Sequence, residues 1–117
     1  MLYTCSTDVP KKTLGKMKHY YITHGHGNDE VVPDKRDLDL YKKGVITAKG
    51  FAINYEVKLR SREAYDWMER VSREASHEDI VLIGEEETEK GYLGMLVEMM
   101  VSMFAGKIKF QYLGKLQ

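Results

Sequence analysis

The chain has 117 residues, of which 43% are hydrophobic and 31% are charged, so it is predicted to be a globular protein and intrinsic disorder is excluded. Its 18 basic and 18 acidic residues give a formal net charge of zero, which argues against a dedicated nucleic-acid binder. A disulfide within the chain is excluded because Cys5 is the only cysteine, and no N-terminal stretch has the layout of a secretory signal, so we expect one cytoplasmic domain over 1–117 with no membrane association.

Three strands are predicted in the first half of the chain. The first covers 17–24, MKHYYITH. Residues 51–59 alternate apolar and polar side chains with the period of two that is typical of a strand with one buried face. The β-rich run 45–48 comes just before it, and Lys49-Gly50 between them has the length and the glycine of a tight turn. These two segments are therefore predicted to pair as a β-hairpin.

A helix and an interior strand are predicted next. Over 62–76, apolar side chains recur at steps of three and four residues, Ser61 is placed to cap the helix, and Glu63 lies in its first turn. Residues 80–83, Ile-Val-Leu-Ile, show no polar alternation, which favours a strand covered on both faces.

The remaining predicted elements complete an α+β fold. The acidic stretch 84–91 is predicted to be a solvated turn, 91–105 a helix, and 107–113 a last strand, because its apolar side chains alternate again. The predicted order is β-ββ-α-β-α-β. This order describes a single mixed or antiparallel sheet of about five strands with two helices packed on it.

The helix predicted over 91–105, GYLGMLVEMMVSMFA, is more apolar than a helix lying on a sheet requires. Only one stripe, Gly94-Glu98-Ser102, is suited to water. A bilayer is excluded as the cover, because fifteen residues rising about 1.5 Å each span roughly 22 Å of a hydrocarbon core of about 30 Å. Either another layer of the same chain or a second copy must cover the rest, and we predict a homo-oligomer, a dimer or larger. Its predicted interface consists of Met95, Met99, Met100 and Met103.

A histidine-rich segment, HGHGNDE over 24–30, follows the first predicted strand. His24 and His26 lie two residues apart and are followed by the carboxylate of Asp29, a combination that can bind a divalent metal ion such as Zn²⁺. If these residues hold a metal, the protein is a small metal-dependent hydrolase. No other cofactor is indicated.

The alternative that we favour is a non-enzymatic binding or regulatory protein of the inhibitor or accessory type. Residues 25–43 are predicted to be a long charged loop, and long loops in compact domains often carry function. Through this loop the protein is expected to engage a protein partner or a small anionic ligand. Aromatic side chains can stack on a ligand and basic ones can pair with phosphate or carboxylate groups. The predicted ligand-binding residues are Tyr21, His24, His26, Lys35 and Arg36.

Overall fold

A four-stranded parallel sheet forms the centre of the fold in the computed structural model, which describes residues 1–7, 14–84 and 91–116. The strands stand in the order β2-β3-β1-β4, so β3 and β1 are central and β2 and β4 are the edges. Leu2 pairs with Ile80 of β3 on one side and with Tyr112 of β4 on the other. In chain order the strands are β1 (Leu2–Ser6), β2 (Lys18–Tyr21), β3 (Ile80–Gly84) and β4 (Tyr112–Lys115).

Helices connect these strands and cover one face of the sheet. A 3₁₀ turn at Asp29–Val31 follows β2. The four α-helices of the described residues are α1 (Lys35–Lys42), α2 (Ala48–Leu59), α3 (Arg62–Ala75) and α4 (Tyr92–Phe104). Their buried side chains form the main core with Leu2, Ile80 and Leu82 of the sheet, whereas Cys5 and Val81 point into a smaller cluster on the opposite face.

The predicted sheet was wrong in its strand directions and in its number of strands. Among the described residues every strand pair is parallel, and four strands rather than about five are accompanied by four α-helices rather than two, so the fold is α/β and not α+β. Parallel neighbours need long crossover connections, and the helical segments between the strands supply them.

The largest error concerns 45–48 and 51–59, which do not form a hairpin. Residues 51–59 lie within α2, which is capped by Thr47. Side chains two positions apart point roughly 200° apart on a helix, so alternating apolar residues fill two opposite faces of it. In α2 one apolar set is buried in the core and the other faces solvent. The buried set is Phe51, Tyr55 and Leu59, and the exposed set is Ile53 and Val57.

The segment 25–43 is not the long loop that its charge predicts. It contains the 3₁₀ turn and the whole of α1, a polar helix in which Leu38 is the buried residue. A helix of eight residues with one buried side chain shows too little apolar periodicity to be recognised, and its charged side chains resemble those of a solvated loop.

Two further strands were missed or misplaced. The central strand β1 was not predicted, because its five residues mix apolar, aromatic and hydroxyl side chains without a clear period. The last strand is Tyr112–Lys115, so only the end of the predicted segment 107–113 belongs to it. Ile108 and Phe110 are buried as predicted, but they close the turn after α4 instead of pairing in the sheet.

The elements with the strongest patterns are confirmed. The helix predicted over 62–76 is Arg62–Ala75, and Ser61 caps it by accepting a hydrogen bond from the Ala64 N–H at 3.2 Å. The interior strand predicted over 80–83 is fully buried in β3. The strand predicted over 17–24 is confirmed only for Lys18–Tyr21, which form β2. The acidic turn predicted over 84–91 falls mainly on 85–90, outside the described residues.

The Met-rich helix α4 lies on the sheet, and α2 and α3 of the same chain contact it. Met100 is fully buried in the core, so its side chain is inaccessible to a second copy. The other three methionines of the predicted interface are half-buried and pack partly against the same core. They are Met95, Met99 and Met103. Intrachain packing therefore covers much of the apolar surface on which the predicted self-association depends, and the self-association itself stays a prediction.

Candidate functional site

A groove of about 560 Å³ lies between α4 and the edge strand β4, with β1 as its floor. We call it the α4–β4 groove. Successive turns of α4 form one wall of the groove, and β4 forms the opposite wall. Its lining residues on the helix are Leu93, Gly94, Val97, Glu98, Val101 and Ser102, and those on the strands are Thr4, Cys5, Tyr112, Gly114 and Lys115.

Small residues on both walls leave the space that forms the groove. Gly94 and Ser102 stand two turns apart on α4, and Gly114 stands opposite on β4. Gly114 has a φ of +104°, a conformation that residues with a Cβ rarely adopt. The pairing of β4 with β1 also shifts by one residue between Leu2 and Tyr3. This irregularity redirects the side chains that follow it along β4.

Two hydroxyl groups form the polar part of the floor. Thr4 Oγ1 and Tyr112 Oη are 2.8 Å apart and share one hydrogen bond. Thr4 is only 6% exposed, whereas Tyr112 is more than a third exposed. Because two hydroxyl groups carry two hydrogens and this bond uses one, the pair retains a donor that a bound molecule can accept from.

Opposite charges border the groove on its two walls. Glu98 is exposed on α4, and Lys115 is exposed at the end of β4. Ser102 adds an exposed hydroxyl one turn beyond Glu98. The apolar surface of Leu93, Val97 and Val101 separates these groups, so the groove is apolar with a few polar groups at defined positions.

Cys5 borders the same groove, and its environment argues against a nucleophilic role. The side chain is buried, and this burial raises the pKa of the thiol, although the positive charge of Lys115 acts in the opposite direction. Reactive cysteines are thiolates with a lowered pKa and partial exposure. Cys5 therefore stays a protonated thiol near neutral pH and contributes packing rather than chemistry.

The predicted histidine segment lies after β2, away from the groove lining. The ring of His26 lies 5.1 Å from that of Tyr21, and the ring of His19 lies 5.3 Å from that of Tyr21. The Asp29 carboxylate accepts a hydrogen bond from the Gly25 N–H at 3.1 Å. Tyr21 is thus brought together with His26, while Asp29 is used to hold the turn.

The predicted metal ligands are not gathered into a three-residue cluster in the described part of the chain. Over residues 1–7, 14–84 and 91–116, no three histidine, cysteine or acidic side chains converge as a group that could hold a metal ion, and this includes His24, His26 and Asp29. Lys35 and Arg36 are exposed in the first turn of α1 and do not line the groove. Of the residues predicted to bind a ligand, Tyr21 and His26 are in ring contact, and the ligand-binding role of the set stays a prediction.

Asn28, which we did not predict to be important, organises the segment after β2. It is 7% exposed, and its side-chain amide donates to the carbonyl of Tyr21 at 2.9 Å and to that of His26 at 3.4 Å. Its Oδ1 accepts a hydrogen bond from the Trp67 indole at 3.0 Å. The hydroxyl of Tyr92 donates to the carbonyl of Ile22 at 2.8 Å in the same region. These bonds fix the chain as it leaves the sheet and enters the helical layer.

The sequence predicted the residues of one groove wall but not that they belong to a groove. The stripe Gly94-Glu98-Ser102, which we predicted to face water, is the polar edge of the helix that faces β4. Thr4, Tyr112 and Lys115 were missed because they belong to strands far apart in the chain. Only the pairing of β1 with β4 brings them together.

Comparison with known proteins adds no assignment to this geometry. No protein-family model matches the chain, and neither a curated protein nor a solved structure matches it. Among the helices of the described residues, none combines the length and the apolar character needed to span a bilayer.

Proposed function

We propose that the protein is a binding protein and that it holds a small amphipathic molecule in the α4–β4 groove. One observation carries this proposal, namely a mostly apolar cavity of about 560 Å³ with a few polar groups on its walls. Ligand sites typically enclose about 300–1,000 Å³ and use a few polar groups to orient a ligand that is otherwise held by apolar contacts.

The chemistry of the walls describes the ligand. Leu93, Val97 and Val101 would pack against an apolar body. The carboxylate of Glu98 favours a positively charged or N–H donor group, and the Thr4–Tyr112 hydroxyl pair favours an acceptor such as a carbonyl or ether oxygen. A ligand with an apolar body and both kinds of polar group fits all of these residues.

This proposal keeps the predicted class of function and changes the predicted site. The segment 25–43 does not line the groove, so its engagement of a protein partner stays a separate prediction. Cytoplasmic residence belongs to the same proposal, because a reducing compartment suits a chain whose single thiol, Cys5, is buried and unpaired.

An NMR fragment screen tests the proposal directly. A library of small amphipathic compounds would be added to ¹⁵N-labelled protein, and amide shifts would be followed residue by residue. We expect the largest shifts along α4 and β4, from compounds that combine an aromatic or aliphatic body with an amine. Glu98→Gln should weaken the amines more than it weakens neutral analogues.

A matched pair of variants separates the groove from other surfaces. Ser102→Trp places a large side chain on the groove wall and should weaken binding at least about tenfold, which corresponds to about 1.4 kcal/mol. Ala105→Trp places the same side chain on an exposed position just after α4 that does not line the groove, and should leave binding unchanged. Shifts confined to 24–43, equal effects of the two variants, or a library without a single binder would contradict the proposal.

A further inference from the structure

The outward face of α2 carries two large aliphatic side chains that are more than half exposed. Ile53 is 53% exposed and Val57 is 67% exposed, and they stand one helical turn apart. They lie opposite the buried face of the same helix, which is formed by Phe51, Tyr55 and Leu59. We call this exposed pair the α2 stripe.

Charged side chains border the α2 stripe in an ordered way. At roughly 100° per residue, Lys49, Glu56 and Arg60 all project within about 60° of Ile53. Lys49 lies in the first turn of α2, where no acidic residue compensates it, and Glu56 lies toward the other end. Arg60 donates to Glu56 Oε1 at 2.7 Å, and the Glu56 side chain is 46% exposed, so its carboxylate can accept from a second donor.

A second copy of the same helix complements this arrangement when it runs antiparallel. If Ile53 lies at a two-fold axis, the two Ile53 side chains meet, and Val57 of each copy packs on the aliphatic stem of Lys49 of the other. The Lys49 ammonium then lies beside Glu56 of the second copy, twice by symmetry. Opposite charges pair, and the two helix dipoles run in opposite directions, which is the favourable arrangement.

A glycine on the same face allows the two helices to approach. Gly50 projects about 60° from Ile53 on the same side as Val57, and in the antiparallel arrangement it faces Val57 of the second copy. A larger side chain there would hold the helix axes apart. Parallel pairing would bring Lys49 near Lys49 and Glu56 near Glu56, so like charges would repel.

We propose that the protein forms a two-fold symmetric dimer through antiparallel packing of α2, with Ile53 at the axis and Lys49 paired with Glu56 of the second copy. The predicted self-association is thereby placed on α2 rather than on α4. The proposal does not depend on a ligand in the α4–β4 groove, because the two surfaces belong to different elements.

Sedimentation velocity and light scattering over a concentration series test the dimer. The native protein should move from a monomer of 13.5 kDa toward twice that mass as its concentration rises into the submillimolar range. Ile53→Asp should remain monomeric throughout. Val101→Asp, a matched change at an exposed aliphatic residue of α4, should dimerise like the native protein. Far-ultraviolet circular dichroism would establish that both variants are folded, as their exposed positions predict.

A charge exchange tests the register of the two helices. Lys49→Glu should weaken the dimer about three- to tenfold, and combining it with Glu56→Lys should recover most of that loss. A native protein that is monomeric over the whole range, a dimer that survives Ile53→Asp, or one that Val101→Asp disrupts would overturn the proposal. A dimer that Lys49→Glu strengthens would overturn it as well.

Discussion

Replacing Asn28 with alanine should cost a large part of the stability of the whole domain. The change leaves the Trp67 indole N–H without its acceptor and the Tyr21 carbonyl without its side-chain donor. Each buried polar group that loses its partner costs about 1–3 kcal/mol. Trp67 is 1% exposed and bears the full cost, whereas Tyr21 is half-buried and water can reach it in part. We therefore expect a loss of about 2–4 kcal/mol from a total that is typically about 5–15 kcal/mol.

Urea unfolding followed by tryptophan fluorescence measures this loss, because Trp67 is the only tryptophan of the chain. The matched control is Asn54→Ala, the same change at an exposed position of α2, and its effect should stay within about 0.5 kcal/mol. Asn28→Asp separates the two bonds, since it keeps the acceptor for Trp67 but removes the donor to Tyr21. An Asn28→Ala variant no less stable than the Asn54→Ala control would refute the assignment of Asn28 as the organiser of this segment.

Two further changes probe the α3 helix. Glu74 accepts hydrogen bonds from Lys18 and, at 2.6 Å, from the Tyr20 hydroxyl. Partial burial raises the pKa of Glu74, but the two hydrogen bonds outweigh this effect and hold the pKa below its ordinary value of 4.5. Because the pKa of Glu74 is lower in the folded state, its contribution to stability is complete above pH 4.5 and disappears as the pH falls through the lowered pKa. Glu74→Gln should therefore lower the free energy of unfolding by about 1 kcal/mol in urea titrations at neutral pH and by nearly nothing at strongly acidic pH. Ser72 is fully buried in α3, and its hydroxyl has no hydrogen-bond partner among the described residues. Ser72→Ala should therefore raise the urea midpoint by the equivalent of about 0.5–1.5 kcal/mol without changing the slope of the unfolding free energy against urea. An unchanged or lowered midpoint would show that the hydroxyl is hydrogen-bonded.

Local sequence patterns were sufficient to predict an element where one of its faces is buried and the other is exposed. In α3 the apolar side chains occupy one stripe and Ser61 supplies the cap, so both the type and the limits of the helix follow from the sequence. The same patterns failed for α2, whose two apolar stripes imitate the alternation of a strand. The deciding fact, that the Ile53 side of the helix is exposed, depends on tertiary packing and leaves no local signal.

The candidate groove could be predicted only in part for a related reason. Its helical wall follows from the spacing of Gly94, Glu98 and Ser102, which any projection of α4 reveals. Its other wall depends on strand order, since Thr4 and Tyr112 meet only because β1 pairs with β4. The order of strands in a parallel sheet is set by how helices pack across it, and hydropathy periods carry little information about that.

The position of β1 in the middle of the sheet has a consequence for how the chain acquires its structure during synthesis. β1 pairs with residues near 80 on one edge and with residues near 112 on the other, so the first edge stays unpaired until 80–84 are made and the second until 112–115 are made. Contacts of such long sequence separation must overcome a large loop-closure entropy, and they slow folding relative to a helical bundle of similar size. Until residues 112–115 arrive, the edge of β1 that pairs with β4 is open to strands of other nascent chains, so we expect the protein to be prone to aggregate while this edge is unpaired.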